Sequence, residues 1–226
     1  MDSSPDQTLP RYHWKPIIEI SGRQNLHSDS VSTTSAPSIE QFSQALTAVG
    51  DLIEGVREEQ WSAPTPCTEW DVRQLLNHVT NGNVVFAGVA DRTRPSGPVT
   101  PEERAVDRLG DHPVAGFRET GALMHEAFLT PGFLDGKVES PMMGEQSGTT
   151  IVHMRINELL IHGWDLARAI GQPAELPDDL AEGALILWQT RLAGRPRDGM
   201  PFGVPETIAD DAPAIDRLAA FLGRKP

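Results

Sequence analysis

Apolar residues recur at intervals of three and four along most of the chain after residue 38, which is the spacing of one face of an α-helix. The first such segment begins at Ser38, a suitable N-cap with Gln41 at the capping-box position, and runs to about residue 58. The same spacing predicts five further helices, over about residues 72–89, 101–128, 151–170, 180–192 and 212–222. Helices without alternating strands predict an all-α fold.

Proline and glycine mark the connections between these helices. The segments are a proline-rich connector at 61–70, a polar loop at 91–101 and a long irregular stretch at 130–148 with room for a short hairpin. Asp111-His112-Pro113 can interrupt the third helix. Gly171 and Gly223 end the fourth and the last helix.

Residues 1–37 differ from the rest of the chain. The run from Ser28 to Pro37 has low hydrophobicity and little periodicity, so we expect a disordered N-terminal extension before a helical domain at 38–226. Tyr12 and Trp14, with the isoleucines that follow them, could instead dock locally.

The charge and the cysteine content argue against several classes of function. The net charge of −13 over 226 residues argues against binding to nucleic acid or anionic membrane surfaces. No apolar run reaches the length of about 18 residues that a membrane span needs. The single cysteine excludes an intrachain disulfide, and the N-terminus lacks a signal-peptide pattern, so we expect a cytoplasmic protein.

The segment around Glu158 and His162 carries the clearest chemistry. These residues are four apart in an apolar helical run, so their side chains share one face. Such a pair is often an exposed charged pair, but an inward-facing glutamate needs a partner or a metal ion. His78 lies in a second apolar helical segment. Two histidines and a carboxylate converging from two helices would form a metal site with open positions.

The other five histidines are weaker candidates. His13 and His27 fall in the expected extension, His112 precedes a proline, and His125 and His153 lie on helices as surface or core residues.

Three segments stand out, which are Pro64–His78, Glu158–Ala169 and the tail Asp216–Arg224. The first two resemble the mycothiol-dependent, maleylpyruvate isomerase-like branch of the DinB-like superfamily, and the tail is similar to the closing motif of its short metal-binding members. The resemblance covers about residues 38–225. Its two internal segments are fairly specific for the fold and the metal site, and weakly specific for the substrate.

The resemblance implies a DinB-like four-helix bundle with additional C-terminal helices. It makes His78, Glu158 and His162 the ligands of a divalent ion, usually zinc, although nickel and iron accept the same ligands. It also implies mycothiol or a similar low-molecular-weight thiol as cosubstrate. The expected function is thiol S-transfer to an electrophilic small molecule, or thiol-dependent isomerisation.

The chain departs from the isomerase in one respect, because that enzyme carries a small α/β domain after the bundle. Here about 50 residues follow the fourth helix and their pattern is helical, so the resemblance does not extend to maleylpyruvate as substrate. A non-catalytic metal-binding or stress-response protein of the same fold is the alternative. A non-haem iron oxygenase would use the same ligands but is typically built on a β-barrel. An acidic bundle with apolar helices is also compatible with a homodimer.

Several neighbouring residues have two interpretations each. Cys67 could be a redox thiol or a fourth ligand, but packing in the connector is the favoured interpretation. Asp165 could fix a ligand imidazole or pair with Arg168. Arg155 could bind an anionic substrate or pair with Glu158, three residues later.

Two tryptophans and two asparagines also have two interpretations each. Trp70 and Trp164 could line the site or belong to the core. Asn77 and Asn157 each precede a proposed ligand, but adjacent helical positions point elsewhere.

Overall fold

The computed structural model describes residues 39–197, 200 and 202–226. Within these ranges the chain forms seven α-helices, a 3-10 turn at Glu58–Gln60 and one small hairpin. The helices are α1 (Ile39–Glu54), α2 (Val72–Ala90), α3 (Pro101–Ala105), α4 (Pro113–Phe128), α5 (Gly148–Ile170), α6 (Asp178–Leu192) and α7 (Ala214–Phe221). The antiparallel strands are β1 (Lys137–Ser140) and β2 (Gly144–Ser147), with Lys137 opposite Ser147.

Four of the helices form a bundle around one apolar core. α1 packs against α4 and α5, and α2 packs against the same two helices. Each contributes residues that are almost fully buried, among them Phe42, Leu75, Phe117 and Leu159. α6 and α7 pack on each other and on α5, outside the bundle. The predicted four-helix bundle with additional C-terminal helices is therefore confirmed. Among the described residues, no helix has the length and apolar character needed to cross a membrane.

Some predicted boundaries were wrong. α1 ends at Glu54 rather than near residue 58. The predicted third helix is interrupted before Pro113, as Asp111-His112-Pro113 allowed, but the break begins earlier, at Val106. α3 stops before Val106, whose carbonyl accepts hydrogen bonds from the side-chain amides of Asn77 and Asn81 on α2. Pro113 then starts α4, in the first turn where its missing N–H costs nothing.

The hairpin occupies part of the segment predicted to be irregular. α5 starts three residues earlier than expected, at Gly148, because the hydroxyl of Ser147 accepts a hydrogen bond from the backbone N–H of Thr150. The predicted N-cap Ser38 and the expected extension at 1–37 lie outside the described residues.

The connector between α1 and α2 is attached to the end of α5. The buried side chain of Gln60 donates from Nε2 to the carbonyl of Ile170 at 2.9 Å. α2 then begins with a capping box, in which Asp71 accepts from the N–H of Gln74 and Gln74 accepts from the N–H of Asp71. These contacts tie the start of the connector to the C-terminal end of α5 and fix the point at which the connector passes into α2.

A buried arginine joins α2 to α5. Arg155 of α5 is fully enclosed and forms an ion pair with Glu158. Its Nη2 donates to the side chain of Asn83 at 2.9 Å and to the carbonyl of Val79 at 3.3 Å, both on α2. Gly82 faces the guanidinium, and a Cβ atom at that position would collide with it. The absence of a side chain there lets Arg155 lie against α2.

We expect Arg155→Met to lower the free energy of unfolding by about 3 kcal/mol, because Glu158 would be left without its buried counter-charge. The measurement is urea unfolding at neutral pH with a chelator present, so that metal binding does not contribute. Adding Glu158→Gln to this variant should recover part of the loss, since a neutral amide needs no counter-charge.

Arg118→Met is the matched control, because Arg118 also pairs with carboxylates but is half exposed. It should cost at most about 1 kcal/mol. Equal costs for the two methionine variants would show that the buried pair is not what joins the helices.

Candidate metal centre

Three side chains from two helices meet at one end of the α2–α5 contact. His78 comes from α2, and Glu158 and His162 come from successive turns of α5. One potential ligand atom from each lies within 4.8 Å of the other two. Nε2 of His78 is 3.1 Å from Oε1 of Glu158, and the two imidazole centroids are 5.3 Å apart. The structure thus brings together the three residues singled out in the sequence; their role as metal ligands stays a prediction.

The group opens to solvent on one side. The side chain of His78 is 41% exposed, that of Glu158 20% and that of His162 12%. Trp70, from the connector, lies against His78 with a centroid distance of 4.4 Å and a tilt of 31°. Its ring centroid is also 6.0 Å from that of His162. Trp70 therefore forms an apolar wall of the site, while His78 marks its entrance.

Glu158 is held in its ionised form. Burial by itself raises the pKa of this carboxyl, but the positive charge of Arg155 and the contacts with His78 and His162 bring it well below its usual range. Arg155 binds Oε2, whereas Oε1 faces His78. One carboxylate oxygen is thus used to orient the side chain, and the other remains available to a ligand.

His78 is neutral at pH 7. Packing against neighbouring groups removes part of the water around its imidazole, and this lowers the pKa below the usual 6.5, against the raising effect of Glu158. Since the neighbouring carboxylate only accepts, the proton of His78 is on Nε2 when the two are hydrogen-bonded. A metal ion bound between them would take Nε2 in its unprotonated form, and the neutral ring would then carry its proton on Nδ1.

His162 is fixed through its other nitrogen. Its Nδ1 lies 3.1 Å from Oδ2 of Asp165, one turn further along α5. Burial raises the pKa of Asp165, but the contact with His162 and the charge of Arg224 outweigh it and bring the pKa to about 2. An ionised Asp165 accepts a hydrogen bond from the Nδ1–H group of His162, which leaves the lone pair of Nε2 free for a metal ion. Of the two interpretations of Asp165, the structure shows the contact with the imidazole.

Cys67 completes the environment of Asp165. Its Sγ donates to Oδ2 of Asp165 at 3.1 Å and lies 4.0 Å from Nδ1 of His162. Burial, followed by the negative charge of Asp165, raises the pKa of this thiol to about 12. At neutral pH Cys67 is therefore a protonated hydrogen-bond donor, and this disfavours a redox or nucleophilic role.

The other tryptophan, arginine and asparagine candidates from the sequence have partners other than the three proposed ligands, or are buried. Trp164 is fully buried in the core, and its Nε1 donates to Asp216 of α7 at 2.6 Å. Arg168 also pairs with Asp216, at 2.7 Å, rather than with Asp165. Asn77 binds the segment after α3 through both its amide atoms. Asn157 is buried.

The other described histidines are also elsewhere. His112 precedes α4, His125 is 3.9 Å from the carboxylate of Glu126, and His153 is partly buried on α5. His13 and His27 lie outside the described residues.

Two residues in contact with the site were not identified from the sequence as such. Arg224 follows α7 and donates to both oxygens of Asp165, at 3.2 and 3.1 Å. Asn83 binds Arg155 behind Glu158. Arg224 lies in the tail segment that resembles the family, but its partner is 59 positions away, and no local pattern connects them.

Comparison with known proteins places these features in a family. The profile of the mycothiol maleylpyruvate isomerase N-terminal domain matches residues 42–167, which include all three donors. Uncharacterized proteins from two strains of Mycobacterium tuberculosis are each 34% identical over 182 residues, covering 80% of this chain and 94% of theirs.

Solved structures show the same fold. The crystal structure of a mycothiol-dependent maleylpyruvate isomerase has a TM-score of 0.54 and 15% identity, over 69% of this chain and 71% of that chain. A histidine-to-alanine mutant of the isomerase has the same TM-score at 14% identity. With the profile spanning more than half of its length, this chain belongs to the family of the mycothiol maleylpyruvate isomerase N-terminal domain.

Proposed function

We propose that this protein is a metal-dependent enzyme that uses mycothiol, or a related low-molecular-weight thiol, to attack an electrophilic small molecule. The observation that carries the proposal is the convergence of His78, Glu158 and His162 within 4.8 Å at a solvent-accessible position. The family points to the thiol, since both its description and the solved neighbour are named for mycothiol.

The donor set fits a catalytic metal ion. Two imidazoles and one carboxylate are a common ligand set of catalytic zinc, which keeps a further position for water or substrate. Bonds of about 2.0–2.1 Å in a tetrahedral site separate neighbouring donors by about 3.4 Å. The 3.1 Å between His78 Nε2 and Glu158 Oε1 is close to that spacing. This ligand set favours zinc. Nickel and iron accept the same ligands, so the residues do not exclude either metal.

A divalent ion held by these residues would lower the pKa of a coordinated thiol, ordinarily about 8.5, and make its sulfur nucleophilic at neutral pH. The chain itself orients the donors: Asp165 fixes His162 and Arg155 fixes Glu158. Trp70 covers one side of the His78 ring and excludes water there. The exposed edge of His78 is where a thiol would enter.

The environment of Cys67 supports a thiol that comes from outside the chain. Its sulfur contacts Nδ1 of His162 and Asp165, on the opposite side of the imidazole from Nε2. In that position it cannot serve as a fourth ligand that would close a structural site. An open coordination position favours the catalytic interpretation over a non-catalytic metal-binding protein.

The sulfur would attack a small electrophile with one of two outcomes, which are S-transfer and isomerisation by addition and elimination.

The purified full-length protein should contain about one equivalent of divalent metal, measured by inductively coupled plasma mass spectrometry. Substituting alanine for His78 or His162, or glutamine for Glu158, should remove most of it, because two donors hold the ion far more weakly than three. His153→Ala is the matched control, since His153 is also on α5 but outside the site, and it should keep its metal. Unchanged metal in His162→Ala would exclude this site.

The protein should also accelerate adduct formation between mycothiol and monochlorobimane, followed by fluorescence. A chelator should abolish the acceleration and added zinc should restore it, because the thiol would otherwise remain largely protonated at neutral pH. His78→Ala should be inactive and His153→Ala active. Full activity of the metal-stripped protein would contradict activation of the thiol by metal.

A further inference from the structure

A second group of potential ligands shares His162 with the first. Cys67, His162 and Asp165 each offer an atom within 4.8 Å of the others. Thiolate, imidazole and carboxylate together are also a zinc-binding set. His162 thus stands between two groups, an open one with His78 and Glu158 and an enclosed one with Cys67 and Asp165. The residues around His162 therefore determine which of the two groups binds a metal ion.

Arg224 occupies the enclosed group. Its Nε donates to Oδ1 of Asp165 at 3.2 Å, and its Nη2 donates to Oδ2 at 3.1 Å and to Sγ of Cys67 at 3.6 Å. A guanidinium is charged at any pH at which the protein is folded. It balances the charge of Asp165, whose side chain is fully enclosed, and it repels any second cation at this position.

The same contacts hold Asp165 in place. A planar guanidinium that binds both oxygens of a carboxylate sets the orientation of that carboxylate. Oδ2 of Asp165 is thereby directed at Nδ1 of His162, and Nε2 is left for the open group.

The C-terminal helices bring Arg224 to this position. α7 packs on α5, and Asp216 of α7 binds both Trp164 and Arg168 of α5. Gly223 then adopts φ = 85°, which turns the chain back after α7 and is a conformation that favours glycine. The backbone N–H of Arg224 donates to the carbonyl of Ala219 at 2.9 Å, so the turn itself is anchored.

We propose that Arg224 is a positioning residue of the metal site, which holds Asp165 against His162 and by its charge keeps Cys67, His162 and Asp165 from binding metal. The inference rests on the proposed metal site, which it extends to the segment after α7. Arg224 acts through Asp165 and does not itself touch the three proposed ligands.

The test compares Arg224→Gln with the unmodified full-length protein, using cobalt as a spectroscopic probe and zinc for affinity. In Arg224→Gln we expect a thiolate-to-cobalt charge-transfer band in the near ultraviolet that the unmodified protein lacks. The band should disappear in Arg224→Gln combined with Cys67→Ser, and persist in Arg224→Gln combined with His78→Ala. Zinc affinity of the open group should fall about tenfold, as for other residues that orient a ligand.

Two further variants separate positioning from stability. Arg224→Lys keeps the charge but cannot bind both oxygens in the same way, so it should show weaker zinc affinity and no charge-transfer band. Arg168→Gln removes another contact between α5 and α7 that is not part of the site. It should lower the melting temperature while leaving the cobalt spectrum and the zinc affinity unchanged.

The outcomes distinguish this inference from the proposed function. Unmodified protein that binds neither cobalt nor zinc would overturn both. Unmodified protein that binds zinc, together with Arg224→Gln of equal affinity and no charge-transfer band, would overturn the inference alone. So would a charge-transfer band in the unmodified protein. Should Arg224→Gln not fold, Arg224→Lys with the zinc affinity of the unmodified protein would overturn the positioning role.

Discussion

The ionised carboxylate of Glu158, at the contact between α2 and α5, is the constraint on which the rest of the site depends. A charge placed among apolar helices is costly unless it is paired. Arg155 supplies the pairing charge and is itself held by Asn83 and the carbonyl of Val79 on α2. The need to satisfy one carboxylate therefore also sets how α2 lies against α5, and this places His78 opposite Glu158.

Each of the two proposed ligands on α5 is oriented by a partner on the side away from the proposed metal position. Arg155 binds the oxygen of Glu158 that faces away from His78, and Asp165 binds the nitrogen of His162 that faces away from the site. The partner of Asp165 comes from after α7 and that of Arg155 from α2. The bundle and the C-terminal helices thus contribute separately to one site, and the C-terminal helices are part of its support as well as of the packing.

Local patterns predicted much of the fold because they depend on neighbouring residues. The helical spacing of apolar side chains predicted α2 and α6 nearly to their observed ends, and Gly171 ended α5 as expected. The split between α3 and α4 was left open by the sequence, because the hydrogen bonds that end α3 come from Asn77 and Asn81 on another helix. The early start of α5 was missed because Ser147 was not recognised as its N-cap.

The sequence by itself determined that Glu158 and His162 share a helix face, since a spacing of four residues allows no other arrangement on a helix. Its resemblance to a family linked them to His78. Only the tertiary structure decided which face turned inward, that the partner of Arg155 is Glu158, and that Asp165 binds His162 instead of Arg168. It also decided that Arg224 reaches Asp165. The physical reason is that charged side chains choose among partners distant in sequence according to burial and geometry, and both are set by the packing of whole helices.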